Sequence, residues 1–117
     1  MSDTITLYHN PRCSKSRATL QLLEDHGIEP TIIQYLETPP DTATLDQLLT
    51  MLQLEPRELM RQQEAEYQQA GLDDPTLSRT KLLEAMIAHP KLIERPIVVR
   101  GGRAVIGRPP ENVLTLL

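Results

Sequence analysis

The segment ITLYHNPRCSKSR occupies residues 5–17 of a chain of 117 residues and determines which secondary-structure elements open the fold. Apolar and polar side chains alternate in its first part, which predicts a buried strand over residues 4–8. Its last part begins a helical pattern, predicted over residues 14–26, that Gly27 ends. The segment therefore indicates a strand that passes through a short polar loop directly into a helix.

The remainder of the chain supplies further strands for the same sheet. Ile32, Ile33 and Tyr35 predict a second strand, and a strand–helix–strand unit of this length has parallel strands with a right-handed crossover. Near the other end, two β-branched runs flank Gly101-Gly102 and predict a tight hairpin. A short final helix is predicted through Val113 and Leu116.

The middle of the chain is helical by its pattern. Leucines at 45, 48, 49 and 52 form one helical stripe, which Asp41 or Thr42 can cap. Pro56 restarts a short helix, and Ser78 can cap a third helix that stops at His89-Pro90. Residues 62–72 are weakly patterned, so no element is predicted there.

This order of elements matches a thioredoxin-like α/β fold. We predict a mixed four-stranded sheet, with a helical insertion at residues 41–90 between a βαβ half and a ββα half. Residues 1–117 are expected to form one domain, because the length falls within the usual size of one. Pattern alone leaves another small α/β fold as the alternative.

Cys13 is the only cysteine of the chain, and it lies at the predicted start of a helix. Free backbone N–H groups and the positive end of the helix dipole favour a thiolate there, and the same groups bind anions. His9 either lowers the pKa of this thiol or holds the loop by a hydrogen bond. Three scattered histidines and one cysteine show no metal-ligand spacing, so no metal is expected.

Composition excludes several classes of function. A net charge of −4 and 3% aromatic residues argue against nucleic-acid or anionic-membrane binding. No apolar run reaches about 18 residues and no signal pattern opens the chain, so we expect a cytoplasmic protein with a reduced thiol. The chain has nine arginines and three lysines, and the planar guanidinium group of arginine suits two-point hydrogen bonding to an oxyanion.

Six further patterns stand in order along the chain: His9-Asn10-Pro11-x-Cys13-Ser14-x-Ser16-Arg17, Tyr35-Leu36, Thr38-Pro39-Pro40, Leu59-x-Arg61, Arg95-Pro96-Ile97-Val98 and Gly107-Arg108-Pro109. Together these motifs resemble the glutaredoxin-coupled arsenate reductase family over almost the whole chain.

The resemblance implies an arsenic-detoxifying oxidoreductase with a thioredoxin-like fold. Cys13 would be the catalytic nucleophile, and the oxyanion would be bound by Arg61, Arg95 and Arg108. Glutathione would be the co-substrate, glutaredoxin the recycling partner, and no cofactor would be bound. Supporting roles fall to His9, Asn10, Ser16, Arg17 and Pro96, and the fold implies a cis Arg95–Pro96 peptide. The other arginines are expected to be solvated charges: Arg12, Arg57, Arg79, Arg100 and Arg103.

Cysteine counting adds one mechanistic expectation. With no second cysteine there is no internal resolving thiol, so an external thiol must complete the cycle. Two other functions remain open: a glutathione-dependent thiol oxidoreductase without arsenate specificity, and a thiol-stress regulator that binds RNA polymerase. The regulator is disfavoured because Ser16 replaces the second cysteine of its usual Cys-x-x-Cys pair.

Overall fold

A computed structural model describes residues 4–94 and 96–117 of the chain. Its strands are β1 (Ile5–Tyr8), β2 (Thr31–Ile33), β3 (Ile97–Arg100) and β4 (Arg103–Ile106). Its helices are α1 (Ser14–Asp25), α2 (Thr42–Leu52), α3 (Ala65–Gln69) and α4 (Arg79–Ala88), with 3-10 turns at Pro56–Leu59, Pro90–Leu92 and Pro110–Leu116.

The four strands form one mixed sheet in the order β2-β1-β3-β4. β1 runs parallel to β2, with Leu7 opposite Ile32, and antiparallel to β3, with Leu7 opposite Val98. β3 and β4 are the predicted hairpin, in which Ile97 lies opposite Ile106. The predicted mixed sheet and thioredoxin-like fold are confirmed.

The core of this sheet explains why the first segment is so strongly patterned. Ile5 and Leu7 of β1 are buried together with Leu23 of α1, Val98 of β3 and Val113 of the last turn. A strand places every second side chain on one face, so the alternation in β1 presents its apolar residues to α1. Burial of an aliphatic side chain contributes about 1.5–3 kcal/mol, which fixes α1 on the sheet.

The chain divides into two compact units. The first contains the sheet, α1 and the last turn, and the second runs from Pro39 to Glu94. In the second unit α2 packs on α4 through the leucine stripe, of which Leu45, Leu48 and Leu49 are buried. Asp41 and Ser78 cap α2 and α4, accepting backbone N–H groups of residues 44 and 81.

Several sequence expectations are wrong at particular residues. Residues 62–72 contain the short helix α3, which no pattern predicted. Arg100 is not a fully solvated charge, because it is half-buried and donates to the Leu116 carbonyl at 2.8 Å. Arg103 is exposed, as expected, and also donates to the Thr115 carbonyl at 3.1 Å, so both arginines bind the last turn to the hairpin.

Two further arginines of that group, in the second unit, also have protein partners. The Arg57 guanidinium donates to the carbonyls of Leu72 and Asp74, and Arg79 pairs with Asp46 at 2.7 Å. The expected cis Arg95–Pro96 peptide includes a residue outside the described part of the chain. Among the described residues the cis peptide is Arg108–Pro109.

None of the helices in residues 4–94 and 96–117 has the length and apolar character needed to cross a membrane.

Candidate active site

Cys13 occupies the N-cap position of α1, where the sequence predicts it. Its backbone is extended (φ −94°, ψ 125°), its carbonyl accepts the Arg17 N–H at 3.0 Å, and its own N–H donates to the Asn10 carbonyl at 3.0 Å. The residue is half-buried. The first-turn N–H groups of a helix point toward this position, which makes it suited to holding negative charge.

A buried polar network connects the loop before Cys13 to the first turn of α1. Ser16, which is fully buried, accepts the Asn10 N–H at 3.0 Å, and its Oγ lies 2.6 Å from His9 Nδ1. Asn10 Oδ1 accepts the N–H of Arg12 at 3.0 Å. The loop is therefore held at both of its ends, and the backbone that carries the thiol has a defined conformation.

His9 is a structural partner of this network. Burial lowers the pKa of His9, and the positive charge of Arg17 lowers it further. The ring is therefore neutral near pH 7, and Ser16 is the group that its Nδ1 contacts. Of the two roles considered from sequence, this geometry fits the loop-holding hydrogen bond, and a protonated His9 is disfavoured as a source of thiolate stabilisation.

Arg17 brings a positive charge to the same loop. Its Nη1 donates to the Pro11 carbonyl at 3.0 Å, while the side chain stays exposed. Because Pro11 lies two residues before Cys13, the guanidinium is anchored to the loop that carries the nucleophile. An anchored cation near a thiol favours its ionised form.

Arg108 is in the same unit as Cys13 and follows the end of β4. It is exposed, and the preceding Gly107 donates its N–H to the carbonyl of the buried Pro96 at 2.9 Å. This bond continues the β3–β4 pairing beyond the strand ends. Pro96 therefore supports the segment from which Arg108 projects.

Arg61 belongs to the second unit, where its backbone and its side chain each have a hydrogen-bond partner. Its N–H donates to Leu92 O at 2.6 Å, and its Nη1 forms an ion pair with Glu64 Oε1 at 2.9 Å. Sequence reasoning missed Glu64, because the i, i+3 rule holds for helices and residues 61–64 form a turn. Arg95 lies outside the described residues, so the convergence of the three arginines on Cys13 remains a prediction.

The described site thus combines a half-buried thiol at a helix N-terminus with a buried network and an anchored arginine. Such a site can supply a thiolate nucleophile and backbone N–H donors for an anion.

The chain is similar to known proteins over nearly its whole length. A profile described as the ArsC family matches residues 8–116. An Escherichia coli K12 protein, "Uncharacterized protein YfgD", is 54% identical and covers 100% of this chain and 99% of its own length. A Neisseria meningitidis protein named arsenate reductase is 47% identical over 97% of each chain. The solved structure of a Vibrio cholerae arsenate reductase superposes with a TM-score of 0.95 at 52% identity over 100% of both chains.

Proposed function

Because the chain belongs to the ArsC family, we propose that it is an oxidoreductase that reduces arsenate to arsenite. The observation that carries the proposal is the half-buried Cys13 at the N-cap of α1, in a chain with no other cysteine. Relatives named arsenate reductase cover nearly its full length, which supports arsenate as the substrate.

The first step is attack by the Cys13 thiolate on arsenic. A sulfur–arsenic bond forms, and an arsenate oxygen leaves as hydroxide, or as water when protonated. Arsenate near neutral pH is mostly a dianion, so it repels a thiolate unless cations neutralise it. We assign that task to Arg61, Arg95 and Arg108, with the N–H groups of α1, on the strength of the family resemblance.

The second step requires an external thiol. A glutathione thiolate attacks the Cys13 sulfur of the adduct and forms a mixed disulfide. The electron pair of the broken sulfur–arsenic bond stays on arsenic, which changes from As(V) to As(III). A glutaredoxin thiolate then removes glutathione from Cys13 by disulfide exchange and regenerates the free thiol. Glutathione is thus consumed as co-substrate, with glutaredoxin as recycling partner.

A second candidate rests on the same lone thiol. A half-buried single-cysteine site also suits a glutathione-dependent thiol oxidoreductase without arsenate specificity. In that case a glutathionylated protein, and not arsenate, would be the substrate. The third candidate, a regulator that binds RNA polymerase, receives no support from Ser16, which is fully buried and hydrogen-bonded.

The test is arsenite formation by the purified protein with glutathione and glutaredoxin. We expect activity in the wild type, none in Cys13→Ser, and a fall of about 100-fold in Arg61→Ala or Arg108→Ala. Arg103→Ala, at the opposite end of the hairpin from Arg108, is the matched control and should stay near wild type. Omitting glutathione should abolish turnover.

A wild-type protein that reduces glutathionylated protein substrates but yields no arsenite would select the second candidate. Recovery of polymerase from lysate, in place of either activity, would select the third.

A further inference from the structure

One glycine allows the open end of the β3–β4 hairpin to lie directly against α1. Gly107 follows β4, and its N–H donates to Pro96 O at 2.9 Å, one residue pair beyond the pairing of Ile97 with Ile106. Arg108 comes next in the chain. The position of Gly107 therefore determines where Arg108 leaves the sheet.

Thr19 is the residue of α1 that faces this glycine. It is fully buried, its hydroxyl donates to Lys15 O at 2.9 Å, and the same oxygen lies 3.5 Å from Gly107 O. A Cβ placed on Gly107 would come within 2.5 Å of Thr19 Oγ1 and 2.9 Å of Pro96 Cγ. Close-packed interiors do not absorb such overlaps, so a larger residue at 107 forces a shift where the hairpin end meets α1.

A displacement at Thr19 reaches Cys13 because both lie along one helix. The two residues are six positions apart, or about 9 Å along the helix axis. A helix of this length moves as a unit, so a shift at Thr19 carries the N-cap with it. The Thr19–Gly107 contact thus links the backbone of the nucleophile to that of Arg108.

We propose that Thr19 and Gly107 are positioning residues that set the spacing between Cys13 on α1 and Arg108 at the hairpin end. The inference rests on the proposed function, since it takes Arg108 to bind the oxyanion that Cys13 attacks. Misplacement of reacting groups by about 1 Å can cost about 100-fold in rate, so this spacing matters for the reaction.

The test measures how well arsenate protects Cys13 from alkylation by iodoacetamide. Alkylation reports on Cys13 alone, because the chain has no other cysteine. In Gly107→Ala we expect the arsenate concentration for half-protection to rise about tenfold. The alkylation rate without arsenate should stay within about twofold of wild type, because a neutral reagent does not need the bound-anion geometry.

Two variants separate positioning from general damage to the fold. Gly102→Ala is the matched control, since a Cβ there meets nothing within 4 Å at the other end of the same hairpin. The double variant Thr19→Ala/Gly107→Ala removes both Thr19 contacts of the added Cβ and leaves its contact with Pro96 Cγ, a ring atom that a change of pucker can move. Its half-protection concentration should return to within about threefold of wild type, and Gly102→Ala should match wild type.

Protection in Gly107→Ala equal to wild type would overturn the inference. So would a double variant that recovers no protection, or that stays unfolded when Gly107→Ala does not fold. A double variant that restores folding and protection supports it. A wild-type protein that arsenate does not protect overturns the inference together with the proposed anion site. A wild-type protein that is protected but forms no arsenite overturns only the proposed reaction, and the variants still decide the inference.

Discussion

At the scale of single residues, a strongly acidic thiol at Cys13 would need more than one source of stabilisation. Lowering the pKa of a thiol by two units corresponds to about 2.7 kcal/mol of preferential stabilisation of the thiolate. A helix N-terminus contributes about 0.3–1 kcal/mol when exposed and up to about 2 kcal/mol when partly buried. Because the pKa of His9 is lowered, the remaining stabilisation would have to come from arginines, of which Arg17 is anchored to the loop.

Ser16 should contribute to stability through its hydroxyl. Ser16→Ala leaves the buried Asn10 N–H and the His9 ring without the oxygen that they contact. We expect a loss of about 1–3 kcal/mol in the free energy of unfolding, measured by urea denaturation. Ser14→Ala, at an exposed position of the same turn, is the control and should change stability by less than about 0.5 kcal/mol. Equal losses of stability in the two variants would contradict a stabilising role for the Ser16 hydrogen bonds.

His9 should make stability depend on pH in one direction. Its pKa is lowered in the folded protein, so below its ordinary pKa of 6.5 the unfolded chain binds a proton that the folded protein resists. His9 therefore causes no loss of stability above that value, and the free energy of unfolding falls as the pH drops from 6.5 toward the folded pKa. Urea denaturation at a series of pH values should show that the free energy of unfolding falls more steeply in wild type than in His9→Gln. Equal slopes would contradict a lowered pKa of His9 in the folded protein.

Glu64 should weaken anion binding at Arg61. Its carboxylate pairs with Nη1 of that arginine and competes with any oxyanion for it. Glu64→Gln keeps an oxygen that can accept from Arg61 but removes the negative charge. We expect the KM for arsenate to fall by about two- to fivefold at low salt, with the difference shrinking as salt screens the charge. A KM that rises in Glu64→Gln would indicate that the charge is needed to orient Arg61.

At the scale of elements, helices begin where local chemistry allows them to. Ser78 accepts the N–H of Lys81 at the start of α4, as its sequence position predicted. Ser78→Ala should therefore cost about 1 kcal/mol in the free energy of unfolding, and Ser78→Asp should cost little because a carboxylate also caps. Urea denaturation of both variants checks this, and equal losses would contradict a capping role.

Two elements differ from the sequence prediction, and their burial patterns explain why. α3 buries one side chain of its five residues, Tyr67, so the sequence carries no apolar period that would reveal it. The last segment, Pro110–Leu116, buries Val113 and Leu116 as expected but closes as a 3-10 turn. Helical spacing of i and i+3 serves both kinds of helix, so the pattern does not distinguish them.

At the scale of the whole molecule, what could be predicted was local and what could not was distant. The strand, loop and helix around Cys13 follow from neighbouring residues, and a right-handed crossover then places β2 beside β1. Thr19 and Gly107 are 88 positions apart, and no sequence pattern near either residue predicts their contact. The same holds for the Leu116 carbonyl that accepts from Arg100, because polar contacts of this kind depend on tertiary packing and leave no periodic pattern in the sequence.

The acidity of Cys13 decides most directly whether the start of α1 carries an activated nucleophile. Because the chain has one cysteine, the pH dependence of the iodoacetamide reaction rate reports on that thiol without interference. We predict a midpoint well below the unperturbed thiol pKa of about 8.5 in the folded wild-type protein, and a return toward 8.5 in urea. A folded-state midpoint at or above 8.5 would contradict an activated nucleophile at this position.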